Sequence, residues 1–409
     1  MFKKLSAIVM VALLSAALTA CSGNTDSSAS TQSASKSSTT AASNTSVETT
    51  TFTERDLEQT ADTSEAESLA LSDGNDITIT KAGVYVISGT ASDASIIVEA
   101  ADDDKVQLVL DGANITNTDA PCVYVKNADK VFVTTKEGSE NDLKVTGTFT
   151  ADGETNTDAV IFAKDDIVFN GEGTLTITST DNGISGKDDV KITGGTISIE
   201  SAGDAIEAND EISAAGGTVT INSQKDGLHA ENDEDDTQCS IYISGGTFNI
   251  NAASDGIQGT TTVVIDGGTF NITGSEGIEA TNVTINDGEI TISASDDGIN
   301  ATTKSTAQSV CITINGGNIK INMGQGDTDG LDSNGDLYIT RGTVDITGQS
   351  ACDYDGRAEK TGGKLIVNGQ ETDSIPNQMM GGGGGRGGMG GPGGDMGGFG
   401  GGMQPQMGF

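Results

Sequence analysis

The stretch DDVKITGGTISIESAGDAIEA, residues 188–208, decides the fold of this chain. Apolar and polar residues alternate in three short runs, at 190–192 (VKI), 197–199 (ISI) and 206–208 (IEA). A period of two predicts β-strands. Gly194-Gly195 and Gly203-Asp204 separate the runs and are typical of corners between strands. The stretch therefore predicts one structural unit with three short strands.

The same unit recurs along the chain. The small residue that follows each corner acid is found at positions 183, 205, 227, 256, 277, 298, 330 and 356, mostly 21 or 22 residues apart. A period of this length is typical of a solenoid whose repeats stack on one another. Leucine-rich repeats have a similar length but need a leucine scaffold and a helical half, and the sequence has neither. The repeat predicts an all-β fold, a parallel β-helix with three strands in each of roughly a dozen coils.

Composition and charge exclude several classes of function. The chain of 409 residues has 60 acidic and 21 basic residues, a net charge of −39, one histidine and no tryptophan. This charge repels nucleic acids and anionic lipids, so we expect no nucleic-acid partner. A single histidine argues against His-based catalytic triads and His-rich zinc sites. We expect a monomer.

The two ends of the chain have a different composition from the repeat. Residues 1–20 combine Lys3 and Lys4 with a short apolar run, which predicts a signal peptide. The run ends in Leu-Thr-Ala-Cys21, which resembles a bacterial lipobox, so we expect Cys21 to carry lipid and to anchor the protein at the bacterial cell surface; the alternative is an ordinary signal peptide with a chance cysteine. Residues 21–68 are predicted to be a Ser/Thr-rich tether, 69–376 the β-helix and 377–409 a disordered Gly/Met-rich tail.

Stacking of coils predicts a column of acidic side chains at one corner. Equivalent residues of successive coils lie about 4.8 Å apart, and two ionised carboxylates at that distance repel by about 1 kcal/mol in water and about 3.5 kcal/mol at an effective dielectric of 20. Raised pKa values, hydrogen-bond donors or bound cations would relieve this repulsion. Carboxylate oxygens favour Ca²⁺ over zinc or copper. The predicted ligands are Asp181, Asp204, Asp226, Asp255, Glu276 and Asp297.

An acid-rich insertion in a longer coil extends this prediction. Its candidate calcium ligands are Asp327, Asp329, Asp332 and Asp336. The alternative for every acid in both groups is that its carboxylate only caps its own Asp-Gly turn, accepting a backbone N–H.

Short polar residues on the strand after each Gly-Gly pair predict a flat face that can hydrogen-bond a glycan. Thr247, Asn249 and Asn271 are the candidates there, and Tyr242 and Tyr338, at equivalent outward positions of another strand, are candidates for stacking on sugar rings. The alternative is an ordinary solvated face of strand-forming residues.

These features together resemble a family of bacterial surface lipoproteins that are calcium-containing, carbohydrate-binding, right-handed parallel β-helices. The resemblance covers about residues 70–370 and rests on the repeated Gly-Gly-Thr-x-x-Ile and Asp-Gly-Ile-x-Ala motifs and on the opening GVYVISGT at 83–90. Clostridial members look like cellulose- and pectin-binding proteins. The resemblance implies binding of a plant-type or acidic polysaccharide without cleavage.

Two other functions remain open. A calcium-dependent pectate lyase would need a basic residue beside the sugar's acidified C5 proton, and Lys225, Arg341 and Arg357 are the candidates. A passive adhesin or spacer would need no binding site.

The histidine and the cysteines complete the predictions. Strand alternation predicts that His229 points outward and is exposed, that Cys239 is a buried free thiol and that Cys311 points outward. No zinc-type cysteine spacing is found.

Overall fold

The computed structural model describes residues 51–232, 235–326 and 328–377. Within these ranges the regular structure consists of 34 β-strands, β1 to β34 in chain order. The first strands are β1 Glu67–Ala70, β2 Ile77–Ile79, β3 Gly83–Ser92, β4 Ile96–Glu99, β5 Lys105–Asn117, β6 Val123–Asn127, β7 Lys130–Thr135, β8 Glu140–Val145, β9 Ala159–Ala163, β10 Asp166–Gly171, β11 Thr174–Ser179 and β12 Asn182–Gly186. They are followed by β13 Val190–Ile192, β14 Thr196–Ser201, β15 Ile206–Ala208, β16 Glu211–Ala214, β17 Thr218–Ser223, β18 Leu228–Ala230, β19 Ser240–Ile243, β20 Thr247–Ala252, β21 Ile257–Ile265, β22 Thr269–Gly274, β23 Ile278–Ile285 and β24 Glu289–Ala294. The last are β25 Ile299–Ala301, β26 Cys311–Ile314, β27 Asn318–Met323, β28 Asp329–Ser333, β29 Asp336–Ile339, β30 Thr343–Thr347, β31 Ser350–Tyr354, β32 Ala358–Lys360, β33 Lys364–Val367 and β34 Gln370–Thr372.

The strands stack as three faces of a solenoid. In the coil that contains residues 190–208, β13 pairs with β10 and β16, β14 with β11 and β17, and β15 with β12 and β18. We call the faces that contain β13, β14 and β15 face A, face B and face C. Among the strands of the described residues, every pairing is parallel except that of β34 with β33. The predicted all-β parallel solenoid with three strands per coil is confirmed.

The core is filled by the inward residue of each alternating pair. Ile197 and Ile199 are buried on β14, whereas Thr196, at the start of the strand, is exposed. The rings of Phe248 and Phe270 lie on adjacent coils and stack at 5.2 Å with an angle of 9° between their planes. Removal of such a buried ring costs about 3–5 kcal/mol. Stacking of successive coils therefore supplies the stability that one coil lacks.

Glycine serves the two kinds of corner differently. Between faces A and B, the second residue of the Gly-Gly pair has a positive φ, +81° at Gly195, which a residue with a side chain rarely adopts. Between faces B and C, Gly256 is required by space, since a Cβ there would lie 2.2 Å from the Ile272 side chain and 2.7 Å from the Gly277 carbonyl oxygen.

Residues 51–66, which we call the N-terminal strap, lie against the outside of face A. The Arg55 guanidinium lies 4.4 Å from the centre of the Phe132 ring. Asp56 is fully buried, and its carboxylate lies 3.5 Å from the Lys130 ammonium. The Gln59 side chain accepts a hydrogen bond from the Gly171 N–H.

The strap differs from the predicted tether, which included residues up to 68. The reason is its composition, because residues 52–59 contain aromatic, aliphatic and ionic side chains in place of the Ser/Thr run. Residues 1–50 and 378–409, and with them the predicted signal peptide, Cys21 and the tail, lie outside the described residues. No helix among the described residues is long and apolar enough to span a membrane.

The cysteines are placed as the alternation predicts. Cys239 is buried and Cys311 is partly exposed on face A, where its thiol is 3.4 Å from the Thr313 hydroxyl. Cys122 and Cys352 are buried, and all four thiols are free.

Candidate metal-binding and glycan-binding site

Six acidic residues lie in register at the corner between faces B and C. Each of them lies two residues before an isoleucine or leucine of face C. These apolar residues pair with one another from coil to coil. We call this group the acid column; it consists of Asp204, Asp226, Asp255, Glu276, Asp297 and Asp329. The vertical alignment expected from the repeat is therefore present in the structure.

A hydrogen-bond ladder orients these acids. The backbone N–H of Asp226 donates to Asp204 Oδ1 at 2.8 Å, and that of Asp255 donates to Asp226 Oδ1 at 2.8 Å. The N–H of Asp329 donates in the same way to Asp297 Oδ1. These three carboxylates thus cap the turn of the next coil, not their own turn as the alternative prediction had it. In each of the three the ladder uses Oδ1 and leaves Oδ2 for a second interaction.

The column begins with an amide. Asn182, not Asp181, is in register with Asp204, and its Oδ1 accepts the Asp204 N–H at 2.8 Å. Asp181 lies one position earlier, in register with Asp158. Burial raises the pKa of Asp181, and the charge of Lys225 partly offsets that rise.

A second set of polar residues runs parallel to the acid column. It occupies the central, outward position of each face C strand from β12 to β31. We call it the face C column; it consists of Ser185, Glu207, His229, Gln258, Glu279, Asn300, Asp332 and Asp353. Of these, only Asp332 was among the predicted ligands. The variable position of the Asp-Gly-Ile-x-Ala motif is the signal that could have identified the others.

The two columns meet in a cluster formed by Asp255, Glu276 and Glu279. One carboxylate oxygen of each lies within 4.8 Å of the others. Burial, and then the charges of Glu279 and Asp255, raise the pKa of Glu276 to about 8. Burial, and then Asp226 and Glu279, raise the pKa of Asp255 to about 7. Lys304 lies 2.5 Å from Glu279 and neutralises part of this charge.

The acid-rich insertion forms a further group around Asp332. Burial, followed by the charges of Asp297 and Asp329, raises the pKa of Asp332 to about 7. Nearby in the face C column, Asn300 Oδ1 and Asp353 Oδ1 are buried and have no hydrogen-bond partner among the described residues. Buried oxygens without donors, beside carboxylates that repel one another, fit a cation that takes oxygen ligands.

Of the other predicted ligands of the insertion, Asp336 lies on a different face from this group. Asp327 lies outside the described residues. Asp336 begins β29 on face A, where it accepts hydrogen bonds from the Arg357 N–H at 2.7 Å and the Tyr338 hydroxyl at 2.6 Å. Those donors, the Arg357 N–H foremost, lower the pKa of Asp336. Asp336 is therefore satisfied by local contacts.

A third acidic cluster, at the corner between faces C and A, was not predicted. Asp166, Asp188 and Asp189 bring one carboxylate oxygen each within 4.8 Å of the others. Burial and the charge of Asp166 raise the pKa of Asp188 to about 7. Lys191 lies 3.2 Å from Asp189. The sequence shows these acids only as isolated pairs, which is why the cluster was missed.

His229 differs from its predicted exposure. It points outward from β18, but its side chain is only 13% exposed because Asp204, Asp226 and Glu231 surround the ring. Burial lowers the pKa of His229, but the hydrogen bond and charge of Asp204 outweigh burial and raise it overall. The alternation of inward and outward residues along β18 predicts the outward direction of the His229 side chain correctly, but it does not predict the carboxylates that surround the ring.

The predicted glycan-binding residues lie on two different faces. Thr247, Asn249 and Asn271 point outward on face B, and the Asn271 amide donates to Asn249 Oδ1 at 3.0 Å on the adjacent coil. Tyr242 and Tyr338 are equivalent on face A and are four coils apart, which is about 19 Å at a spacing of about 4.8 Å. The two tyrosines therefore cannot contact one sugar ring together.

The tyrosines also have protein partners. The Tyr242 ring lies 6.3 Å from the ring of Phe52 in the strap, and its hydroxyl donates to Asp266 at 2.9 Å. The Tyr338 hydroxyl donates to Asp336. Of the five predicted glycan-binding residues, Asn271 is the exposed one, whereas both tyrosines are partly buried.

Three lysines form a ladder that no motif of the sequence indicates. Lys126, Lys164 and Lys187 directly follow residues that pair with one another on face C, so they lie on consecutive coils. Lys126 is 2.9 Å from Asp152, and Lys187 is 3.1 Å from Glu207. The Lys126 and Lys164 ammoniums also lie 4.9 and 5.9 Å from the centre of one tyrosine ring. We call this set the lysine ladder.

The fold and the site define a β-solenoid with regularly spaced carboxylate and amide groups on its outside. A family model described as carbohydrate-binding domain-containing protein matches residues 73–330 and 275–376. The chain therefore belongs to this family of carbohydrate-binding domain-containing proteins.

Individual relatives match less of the chain. A carbohydrate-binding domain-containing protein of Acetivibrio thermocellus is 38% identical over 123 residues, which are 29% of this chain and 43% of that protein. This chain thus spans less than half the length of that curated relative. A gadolinium derivative of a polysaccharide lyase-like protein from C. thermocellum is similar over 76% of this chain and 95% of that chain, with 23% identity and a TM-score of 0.34. A TM-score this low supports no inference about function.

Proposed function

We propose that this protein is a non-catalytic, calcium-dependent polysaccharide-binding protein, anchored through lipid on Cys21 at a bacterial cell surface. Membership of the carbohydrate-binding family supports the polysaccharide partner. The calcium dependence, the type of glycan, the anchor and the absence of catalysis are parts of the proposal.

The proposal rests mainly on one observation: residues of the acid column and of the face C column lie close together. Asp255, Glu276 and Glu279 have ligand oxygens within 4.8 Å of one another, and burial with mutual repulsion raises the pKa of Glu276 to about 8. Only Lys304 forms an ion pair with this cluster among the described residues. A divalent cation with a preference for oxygen would replace repulsion by attraction.

Calcium also supplies a route to an acidic glycan. A chain with a net charge of −39 repels a polyuronate, but a cation held by protein carboxylates can share its remaining coordination positions with sugar carboxylates. The lysine ladder adds positive charge at coil spacing, and face B adds an exposed row of amides and hydroxyls. Cellulose- or pectin-like chains are therefore the proposed ligands, with the acidic class favoured by these charges.

The positions of the basic residues argue for binding without cleavage. Lys225 is exposed near Asp181 and Asp204, whose charges it offsets. Arg357 is exposed on the coil next to Asp336, and its charge lowers the pKa of that residue. We assign both residues to charge neutralisation and not to abstraction of a sugar proton.

Retention on insoluble polysaccharides tests the proposal. Protein without its first 50 residues is incubated with cellulose and with calcium-crosslinked polygalacturonate, in calcium and in chelator. We expect retention in calcium and loss in chelator. Retention on no polysaccharide in either condition would favour the spacer function, and formation of ultraviolet-absorbing unsaturated uronide would establish a lyase.

A further inference from the structure

The single histidine lies between two members of the acid column. His229 Nδ1 is 3.3 Å from Asp204 Oδ2 and 3.6 Å from Asp226 Oδ2. The three side chains are 13%, 7% and 9% exposed. Asp204 belongs to one coil, and Asp226 and His229 belong to the next, so the group joins two coils.

The hydrogen-bond ladder has already oriented both carboxylates. Asp204 Oδ1 accepts the Asp226 N–H, and Asp226 Oδ1 accepts the Asp255 N–H, each at 2.8 Å. The second oxygen of each aspartate is the one near the imidazole. The three ligand atoms are thus held by the repeating backbone of the solenoid, which is the preorganisation that a metal site needs.

The distances suit a metal as well as a hydrogen bond. Nδ1 is within hydrogen-bond reach of Asp204 at 3.3 Å, although a charge-assisted N–H···O bond is about 2.7–2.9 Å long, and Asp226 at 3.6 Å lies beyond that reach. Zinc bonds of about 2.0–2.2 Å to nitrogen and oxygen place neighbouring ligands of a tetrahedron about 3.3–3.6 Å apart. The two measured separations of 3.3 and 3.6 Å fall in that range.

The other ring nitrogen has the surroundings expected of a metal-ligating histidine. His229 Nε2 lies 3.3 Å from Glu231 Oε2, which can accept its N–H, and 3.1 Å from the Gln258 amide nitrogen; rotating that amide by 180° places its carbonyl oxygen there as a second acceptor. A histidine that binds a metal through one nitrogen usually donates its other N–H to a carboxylate or a carbonyl oxygen, which sets the tautomer and the ring orientation. Glu231 would be that acceptor here.

We propose that Asp204, Asp226 and His229 form a site for a divalent transition metal of the zinc class, distinct from the oxygen-only clusters that we assign to calcium. An imidazole and two carboxylates suit zinc, cobalt or nickel, whereas calcium takes six to eight oxygens. Three protein ligands leave one tetrahedral position for water. The metal would bind two coils together and neutralise both aspartates.

Metal titration of tag-free protein tests the site. We expect isothermal titration calorimetry to show one zinc ion bound per chain in the presence of excess calcium. His229→Ala should weaken zinc binding by at least about tenfold, and Glu231→Gln by about tenfold. The matched control Glu279→Gln changes an oxygen-only cluster and should leave zinc binding unchanged while it weakens calcium binding. Zinc binding that is absent, or that is unchanged in His229→Ala, would overturn the site without affecting the proposed calcium site.

Nuclear magnetic resonance of the unmodified protein gives a second readout that needs no variant. The chain contains one histidine, so a tag-free sample has one imidazole signal set. Zinc should shift the Nδ1 resonance and leave the proton on Nε2. An imidazole whose signals do not move at saturating zinc, or that binds the metal through Nε2, would contradict the proposal.

Discussion

The substitution Glu276→Gln is expected to change stability in opposite directions with and without calcium. Glu276 lies within 4.8 Å of carboxylate oxygens of Asp255 and Glu279. At that distance each ionised neighbour repels it by about 1 kcal/mol in water and by about 3.5 kcal/mol at an effective dielectric of 20. Because solvent and Lys304 screen the cluster, we expect a net effect of about 1–3 kcal/mol. Glutamine keeps an oxygen for the Asn300 amide, which donates to Glu276 at 3.1 Å.

The pH dependence of this stability difference follows from the direction in which the pKa of Glu276 is shifted. The pKa of Glu276 is raised from 4.5 to about 8 by burial and by Glu279 and Asp255. A carboxyl group with a folded pKa above its unfolded value binds more protons in the folded state, so the metal-free protein loses stability as the pH rises through this window. Glu276→Gln removes that loss. Its advantage should grow from pH 4, where it is absent, through pH 8, and should be largest above pH 8, where the Glu276 carboxyl is fully ionised.

Thermal unfolding in chelator and in calcium provides the assay. At about 2 °C per kcal/mol, the midpoint of Glu276→Gln should lie about 2–6 °C above wild type at pH 8 in chelator. In calcium, the variant lacks one carboxylate ligand of the cluster, so its midpoint should lie below that of wild type. The matched control Glu200→Gln, exposed on face B between Thr178 and Asn222, should shift neither midpoint. A variant that is less stable than wild type at pH 8 in chelator would refute the account of repulsion.

Three further substitutions test other parts of the structure. Lys164→Gln in the lysine ladder should weaken retention on polygalacturonate about two- to fivefold, because an exposed ion pair contributes about 0.5–1 kcal/mol. Retention on cellulose, which is uncharged, should stay unchanged; pull-down assays measure both. Asn271→Ala removes an exposed amide of face B that we expect to hydrogen-bond the glycan, and should weaken glycan retention about fivefold, for a loss of about 1 kcal/mol. The unfolding midpoint should change little, because the bond of this amide to Asn249 is exposed to solvent. Asp56→Ala removes the buried partner of Lys130 and should destabilise the strap by about 1–3 kcal/mol, which limited proteolysis detects as faster cleavage within residues 51–66.

Each of these predictions has a control. Lys136→Gln alters an exposed lysine paired with Asp111, and an equal loss of polygalacturonate retention there would show that the effect is only one of net charge. Thr291→Ala, next to Asn271 on the same face, tests whether face B acts as an extended surface; unchanged retention in both face B variants would place the glycan elsewhere. A cleavage rate in Asp56→Ala equal to that of wild type would mean that the ion pair does not hold the strap.

The coil pattern and the acid column could be predicted from the sequence because both depend on one translation that repeats along the chain. Once the strand period and the corner glycines are known, Asp204 must lie near Asp226, and Asp255 near Glu276. Asp336 shows the limit of that reasoning. It is close to Asp332 in sequence, but the turn after β28 places it at the start of a face A strand.

The remaining features depend on contacts that no local pattern specifies. The face C column was missed because its members differ in chemistry from coil to coil, from Glu207 and His229 to Asn300. The strap was missed because its order comes from contacts between residues far apart in sequence, such as Arg55 with Phe132. The burial of His229 has the same origin, since alternation fixes the direction of a side chain but not its neighbours.

Calcium-dependent retention on polygalacturonate, measured on one sample together with its bound calcium, tests the central claim most directly. We expect several calcium ions per chain after dialysis against calcium, and a parallel loss of calcium and of glycan retention when chelator is added. Full retention by protein from which calcium has been removed would contradict the claim that cations held between the acid column and the face C column bind the glycan.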